Sequence, residues 1–337
     1  MEASMEKTNE FGHFDMVSDY SDHHFVGSNN GNCFHDSKSI VYRSIMKEWK
    51  ILKRDLPESI YVRVYEQRID LMRAVIVGAR GTPYHDGLFF FDIAFPSDYP
   101  NRPPKMYYHS FGYRVNPNLY NNGKVCLSLL NTWQGRKTEL WDPSGSTMLQ
   151  VLVSIQGLVL NEKPFFNEPW QWRLSNSENR SRVYNENAFM RTCYTSFHML
   201  ERPPRNFEPF ITAHFRQRAV PILAACSDYM TGCVRVGYYS CDSPSSTSTV
   251  RVSADFKEQM ITFYPQLFQA FRLKAPPPFG AFLPHFNTSR PQSNNKPTGI
   301  FKRFFQKIKH TFGWKNTGNK KTSHIQPRHS TLHTSSK

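Results

Sequence analysis

The sequence predicts an α+β fold, and three observations point to it: one amphipathic helix, then four short β-rich runs with tight connections, then helical periodicity through the second half. In residues 41–57 the apolar positions Val41, Ile45, Trp49 and Leu52 recur at intervals of four, four and three, and Pro57 cannot continue the helix. The runs 60–66, 71–79, 88–95 and 105–110 are bounded by Gly, Pro, Asp or Asn. Connections this short favour a four-stranded antiparallel meander over crossovers. Residues 111–145 are irregular, broken by Pro117, Gly123, Gly135, Pro143 and Gly145, and a loop of that length inside a compact domain is usually functional. Helical spacing returns at Met148, Leu152, Ile155 and Val159, and again at Val183, Asn187, Met190, Tyr194 and Phe197. A further helical region spans about 207–230, with Phe207, Phe210, Ile211, Phe215, Ile222 and Tyr229 as its apolar positions and Pro221 expected to kink it.

The flanks differ in composition. Residues 1–38 are rich in Asn, Asp, Ser, Gly and His without apolar periodicity and read as disordered, and 242–250 and 275–280 read as linkers. The 337 residues are 39% hydrophobic and 15% aromatic, enough to bury a core. The net charge of +15 suggests nucleic acid at first sight. However, residues 281–337 hold eleven Lys and Arg and no Asp or Glu, which leaves only +4 for the rest, and no nucleic-acid-binding module accompanies them. Six cysteines, Cys33, Cys126, Cys193, Cys226, Cys233 and Cys241, are thinly spread with no CxxC pair, a pattern of reduced thiols rather than a disulfide scaffold or zinc site. The N-terminus has no apolar h-region, and the longest apolar run, 148–160, is too short and interrupted to span a bilayer. The expected location is the cytoplasm, with the nucleus and the cytosolic face of membranes as alternatives.

Three motifs then occur in order: 84-YHDGLFFFDIAFPSDYPNRPPK-105, 116-NPNLYNNGKVCLSLL-130 and 141-WDPSG-145. Together with the order and spacing of the elements, they make residues 39 to about 200 resemble the core of the ubiquitin-conjugating (E2) enzymes. The resemblance implies a ubiquitin-conjugating core at 39–205, a helical extension at 206–275 and a basic, mostly disordered tail at 276–337. It also implies that Cys126 carries ubiquitin as a thioester and hands it to a substrate lysine, with no metal and no cofactor. The chemistry explains the residue types. A thiol can store an activated acyl group and release it to an amine, and charge developing on the thioester oxygen can be stabilised by about 3 kcal/mol by a fixed amide donor.

Asn118, eight residues before Cys126, stands at the family's asparagine position, and two roles are open to it: oxyanion donor, or support of its own loop. Glu168, before Pro169, fits the slot of an acidic residue that would accept the proton of the incoming lysine, whose ordinary pKa is about 10.4; a solvated carboxylate is the alternative. Asn116 stands where the family usually has histidine and would support the loop without an imidazole. Asn101 replaces an exposed apolar side chain used by many relatives to bind ligases, which should weaken that contact.

About seven extra residues between Cys126 and Trp141, including Trp133, Arg136 and Lys137, resemble the large plant-type branch, whose members can combine carrier and ligase roles; a neutral surface insertion is the other reading. The helix over 41–56, with Arg43, Lys47, Lys50, Lys53 and Arg54, would receive the ubiquitin-activating enzyme. Trp170 and Trp172 are expected to be core or loop anchors. Two rival functions remain open: an inactive E2-like ubiquitin-binding module, and a carrier of another ubiquitin-like modifier.

In the tail, residues 300–314 place Phe301, Phe304, Phe305, Ile308 and Phe312 at helical spacing with Lys302, Arg303, Lys307 and Lys309 between them. Such a basic amphipathic helix suits an anionic membrane surface, where each cation contributes about 1 kcal/mol. A partner's apolar groove or the chain's own helical extension would also suit it. On the membrane reading, residues 281–337 should co-sediment with liposomes only when anionic lipid is present, less so in high salt, and binding should drop sharply when Phe304 and Phe305 become Ser; no binding at low salt rules the membrane out.

Overall fold

The computed structural model describes residues 11–28, 32–239 and 250–276. Helix α1 (Ile40–Asp55) opens at Ser39, whose side chain accepts the Tyr42 N–H at 3.0 Å and so satisfies an amide that the first turn leaves unpaired. Val41, Ile45 and Leu52 are buried, while Arg43, Lys47, Lys50, Lys53 and Arg54 are exposed. Four strands follow as the predicted meander: β2 (Ile60–Tyr65), β3 (Leu71–Val77), β4 (Leu88–Ala94) and β5 (Lys105–Tyr108). Helix α2 (Met148–Ser154) starts at a capping box in which Thr147 and Gln150 satisfy each other's backbone amides, and the chain continues as a wider π-helical turn over Ile155–Val159. Buried Glu48 of α1 ties these parts together. Its carboxylate accepts the Tyr99 hydroxyl at 2.7 Å and the Met148 N–H at 2.9 Å, and burial raises its pKa.

The first strand of the sheet was not predicted. Strand β1 (Phe14–Val17) pairs parallel with β2, Phe14 opposite Val62, giving the order β1-β2-β3-β4-β5. Disorder over 1–38 therefore does not hold for residues 11–28. Their polar side chains, which look unpartnered in the sequence, meet the sheet. Asp22 accepts from Arg73 at 2.8 Å, a His23 ring nitrogen lies 3.0 Å from the Met72 carbonyl oxygen, and Phe11, Val17, Tyr20 and Phe25 pack on apolar clusters.

Side chains alternate across the sheet, so Tyr61, Val75 and Phe90 form one row on a face and Arg63, Arg73 and Asp92 the next. The opposite face carries the fully buried Val62, Ala74 and Phe91. The first face is covered by the 11–28 strap and by the helical extension: the ring of Phe210 lies 4.3 Å from Tyr61 and 5.1 Å from Phe11, and Phe207 lies 5.0 Å from Phe90. At its centre Arg73 is fully buried and donates to Asp92 at 2.6 Å, to Asp22 and to the Arg205 carbonyl. Burial opposes ionisation of Asp92, but hydrogen bonds and charge from His109 and Arg73 hold its carboxyl well below the usual carboxylate range.

Helix α3 (Ser177–Glu201) closes the core, and the extension consists of α4 (Glu208–Thr231) and α5 (Ala254–Lys274). Helix α4 runs through Pro221 and ends at Gly232, whose φ of +76° suits glycine. The three helices share one apolar cluster with Val75, Leu88 and Phe90 of the sheet. A polar lock reinforces it. His85 Nδ1 lies 2.9 Å from Asp86 and its Nε2 2.9 Å from the Tyr229 hydroxyl, Arg218 donates to Asp86 at 2.7 Å, and His214 meets the Asp86 carbonyl at 2.8 Å. Burial works against the Asp86 charge, yet the His85 hydrogen bond and the His85 and Arg218 charges lower its pKa to about 2. Among the described residues no helix is long and apolar enough to cross a membrane. Residues 240–249, most of 275–280 and the whole tail, with its 300–314 segment, lie outside the described residues.

Arg73→Met should destabilise the chain by about 3–5 kcal/mol in urea unfolding because it strands the Asp92 carboxylate, and Arg73→Met with Asp92→Leu should recover part of that loss. Acidification gives a second test. Burial lowers the pKa of His23 and His214 below 6.5, so protonation opposes folding as pH drops through that value. Asp86, lowered from 3.8, contributes stability that is complete above 3.8 and lost as pH falls towards about 2. Unfolding free energy should decline in these two stages; a flat profile from pH 7 to pH 3 would contradict both assignments.

Candidate active site

The irregular stretch between β5 and α2 turns back on itself so that Cys126 and Asn118 clasp each other through two hydrogen bonds. The Cys126 N–H donates to the Asn118 carbonyl at 2.9 Å, and Asn118 Nδ2 donates to the Cys126 carbonyl at 2.9 Å. Asn116 holds this clasp from beneath. It is fully buried; its Nδ2 donates to the Tyr84 hydroxyl at 2.8 Å and to the Val159 carbonyl at 2.7 Å, and its Oδ1 accepts the Asn118 N–H at 2.8 Å. Asn167 Nδ2 reaches the same Val159 carbonyl at 3.0 Å, and the Tyr84 hydroxyl donates to the Val115 carbonyl at 3.1 Å. An amide thus braces the loop from the position where the resemblance leads one to expect an imidazole.

Cys126 itself is 2% exposed. Burial pushes its thiol pKa up; the Lys124 charge, a hydrogen bond from the Tyr120 hydroxyl and the Arg114 charge pull it down, while the Glu168 charge adds to the rise. Burial prevails, so the group is mainly a thiol at neutral pH and becomes a stronger nucleophile as pH increases. Arg114 organises this flank: it donates to Glu168 at 2.9 Å and to the Pro117 carbonyl at 2.9 Å, and lies 4.2 Å over the Tyr120 ring. Glu168 is partly exposed and close enough for its charge to act on the thiol.

The fold therefore gathers Cys126, Asn118, Asn116 and Glu168 into one place. Sequence reasoning missed Tyr84, Arg114, Tyr120 and Asn167. Arg114 and Tyr120 lie in the long loop already singled out, whereas Tyr84 stands 32 residues before Asn116 and only the fold brings it near. Cys193 and Cys226 are of another kind: both are buried in the apolar cluster, where the contact with Cys226 and burial push the Cys193 thiol up.

Around the site, Asn101 is exposed on the connection between β4 and β5. Residues 132–140 form a surface loop closed at its base, where Asn131 Oδ1 accepts the Trp141 N–H at 3.3 Å and Trp141 Nε1 donates to the Pro100 carbonyl at 2.7 Å. The expectation that Trp170 and Trp172 anchor core or loop is corrected. They are 61% and 64% exposed and stack on the Arg173 guanidinium, at 4.2 and 4.8 Å, because Pro164–Asn167 already fastens this segment and leaves the indoles outside.

The family described as ubiquitin-conjugating enzyme matches residues 44–192, which include every site residue above. The chain is 50% identical over 264 residues to a protein of Arabidopsis thaliana named ubiquitin-conjugating enzyme E2 24, covering 77% of the chain and 29% of that protein. It is 53% identical over 225 residues to one named ubiquitin-conjugating enzyme E2 38 from the same plant, covering 66% of the chain and 68% of that protein. It is also 36% identical over 280 residues to the human dual E2 ubiquitin-conjugating enzyme/E3 ubiquitin-protein ligase BIRC6, covering 75% of the chain and 6% of that protein. The chain spans less than half the length of several of these relatives. On this similarity and the match to the family, the chain belongs to the ubiquitin-conjugating enzymes, in their plant-type branch.

Proposed function

We propose that the chain accepts activated ubiquitin as a thioester on Cys126 and transfers it to a substrate lysine. The observation that carries this reading is the setting of Cys126: a thiol on a loop braced by Asn116 and Asn118, beside the cations Arg114 and Lys124 and the carboxylate Glu168. In the first step the Cys126 sulfur attacks the carbonyl of a thioester on the activating enzyme, a new C–S bond forms, and that enzyme's thiolate leaves. In the second the lysine amine attacks the same carbonyl, the C–N bond forms, the C–S bond to Cys126 breaks, and the amine gives up its proton. Both steps are redox-neutral, and ATP is consumed upstream.

Asn118 supports the loop through one hydrogen of its Nδ2 and keeps a second hydrogen for the developing oxyanion; Glu168, held by Arg114, is the group that receives or relays the lysine proton. The exposed cations of α1 guide the activating enzyme to that helix. An amide at Asn101 and the 132–140 loop support a reduced dependence on a separate ligase, a character that the name of the dual-function human relative also carries. A membrane-facing role for 300–314 and a cytosolic location belong to the same proposal.

Incubation of the purified chain with activating enzyme, ATP and ubiquitin should produce an adduct that reductant removes. No adduct with ubiquitin but one with another modifier would reassign the cargo, and none with any modifier would leave a binding module. Cys126→Ser should form a longer-lived, reductant-resistant ester, because an alkoxide leaves less readily than a thiolate, and Cys126→Ala should form none. Asn118→Ala should slow discharge to lysine about a hundredfold if its amide serves the oxyanion, with charging much less affected. Equal losses in charging and discharge would mean that it only supports the loop. Glu168→Ala should likewise act on discharge, and more strongly at pH 7 than at pH 9, where more of the lysine is already neutral.

A further inference from the structure

Beside the Cys126 loop, a groove of about 560 Å³ lies between the connection from β4 to β5, β5 itself and residues 122–132. Its floor is apolar, including Pro104 and Met106, and Tyr107 forms part of its wall, with the His24 ring stacked on it at 3.6 Å. Arg102, Lys105 and Lys124 stand on its rim, all exposed, and no Asp or Glu lines it. Arg102 is shared with Asp98 at 2.6 Å, Lys124 lies 5.8 Å from the Tyr120 ring, and neither Lys105 nor Lys124 has an ion pair among the described residues.

Arg102 already has Asp98, but Lys105 and Lys124 leave two cations beside an apolar depression that an acidic partner would neutralise while covering the floor. The chain's own tail is a poor occupant, since residues 281–337 are cationic without a single acid. Position narrows the choice. Lys124 and Val125, which line the groove, immediately precede Cys126, so a segment bound there presents its neighbouring residues to the thiol.

We infer that this groove binds an acidic segment bearing an apolar side chain, on the protein whose lysine is modified, and so delivers that lysine to Cys126. The inference rests on the acyl-transfer reading above. The carboxylates pair with Lys105, Lys124 and Arg102, and the apolar side chain fills the floor over Met106. Recognition of this kind acts on the capture of the acceptor rather than on the bond-making step, so its signature is in KM.

The test uses the full chain and a fluorescent peptide with one lysine preceded by Asp and Glu residues around a single Leu. Two control peptides replace the acids by Asn and Gln, or the Leu by Ser. Transfer from the charged chain should have kcat/KM about tenfold higher for the acidic, Leu-bearing peptide than for either control, the difference lying in KM and shrinking with salt. Lys105→Glu should remove the preference while leaving charging and discharge to free lysine unchanged. Anisotropy of a lysine-free version of the peptide on the uncharged chain gives a second reading, independent of any chemistry, and binding should be lost in Lys105→Glu. Equal use of all three peptides, with normal discharge to free lysine and no anisotropy change, would overturn the groove proposal and leave the carrier reading intact. Absence of charging, with peptide binding retained, would overturn the carrier reading instead. Equal binding of a short RNA and of the Ser-containing peptide would also overturn the proposal, since it would show a polyanion surface indifferent to the apolar floor.

Discussion

The Asn116 side chain is the constraint on which the rest of the site depends. The loop that carries Cys126 makes backbone hydrogen bonds within itself, but these alone do not fasten it to the rest of the domain. One buried amide fastens it from three directions, reaching the Tyr84 hydroxyl, the Val159 carbonyl and the Asn118 N–H. The Val159 carbonyl is available where the helical turn over Ile155–Val159 ends, so the shape of that turn and the position of Cys126 are coupled. A buried amide left half-satisfied would cost about 1–3 kcal/mol for each unpaired group, which is why the network makes the loop rigid rather than merely occupied.

Rigidity at the loop is obtained without a pre-formed thiolate. Burial outweighs the cations near Cys126, so the sulfur stays protonated until a partner or a higher pH removes the proton. For a carrier this is a consistent arrangement: the same raised pKa would make the bound acyl group more reluctant to leave spontaneously, and release would await an amine placed correctly. The Arg73 face of the sheet serves a different end. The 11–28 strap and α4 close over Arg73 and Asp92, and the His85–Asp86 lock fastens the extension to the same body that carries the active-site loop.

Much of this was legible in the sequence, for physical reasons that differ from element to element. Helix α1 announces itself through Val41, Ile45 and Leu52 and stops before Pro57, and the four meander strands are bounded by breakers, so local pattern and tertiary fold agree. Cys126, Asn118 and Asn116 lie within eleven residues of chain, and Glu168 is recognisable only by its place before Pro169. What was not legible depends on distant partners. Asp22 looks like a solvated acid until Arg73, 51 residues on, is folded beside it, and strand β1, four residues long, is too short to show alternation. Trp170 and Trp172 misled for the opposite reason: tryptophan usually reports burial, and here both indoles lie exposed against the Arg173 guanidinium.

The central claim is that Cys126 is the residue to which ubiquitin becomes bonded. Intact-mass and peptide-mapping spectrometry of the chain after brief incubation with activating enzyme, ATP and ubiquitin tests it most directly, with unmodified thiols alkylated before digestion under acidic conditions. The expected result is a single added ubiquitin, with Cys126 protected from alkylation and Cys33 and Cys233 alkylated as in the control without ATP. Protection of another cysteine, with Cys126 alkylated as fully as in that control, would contradict it.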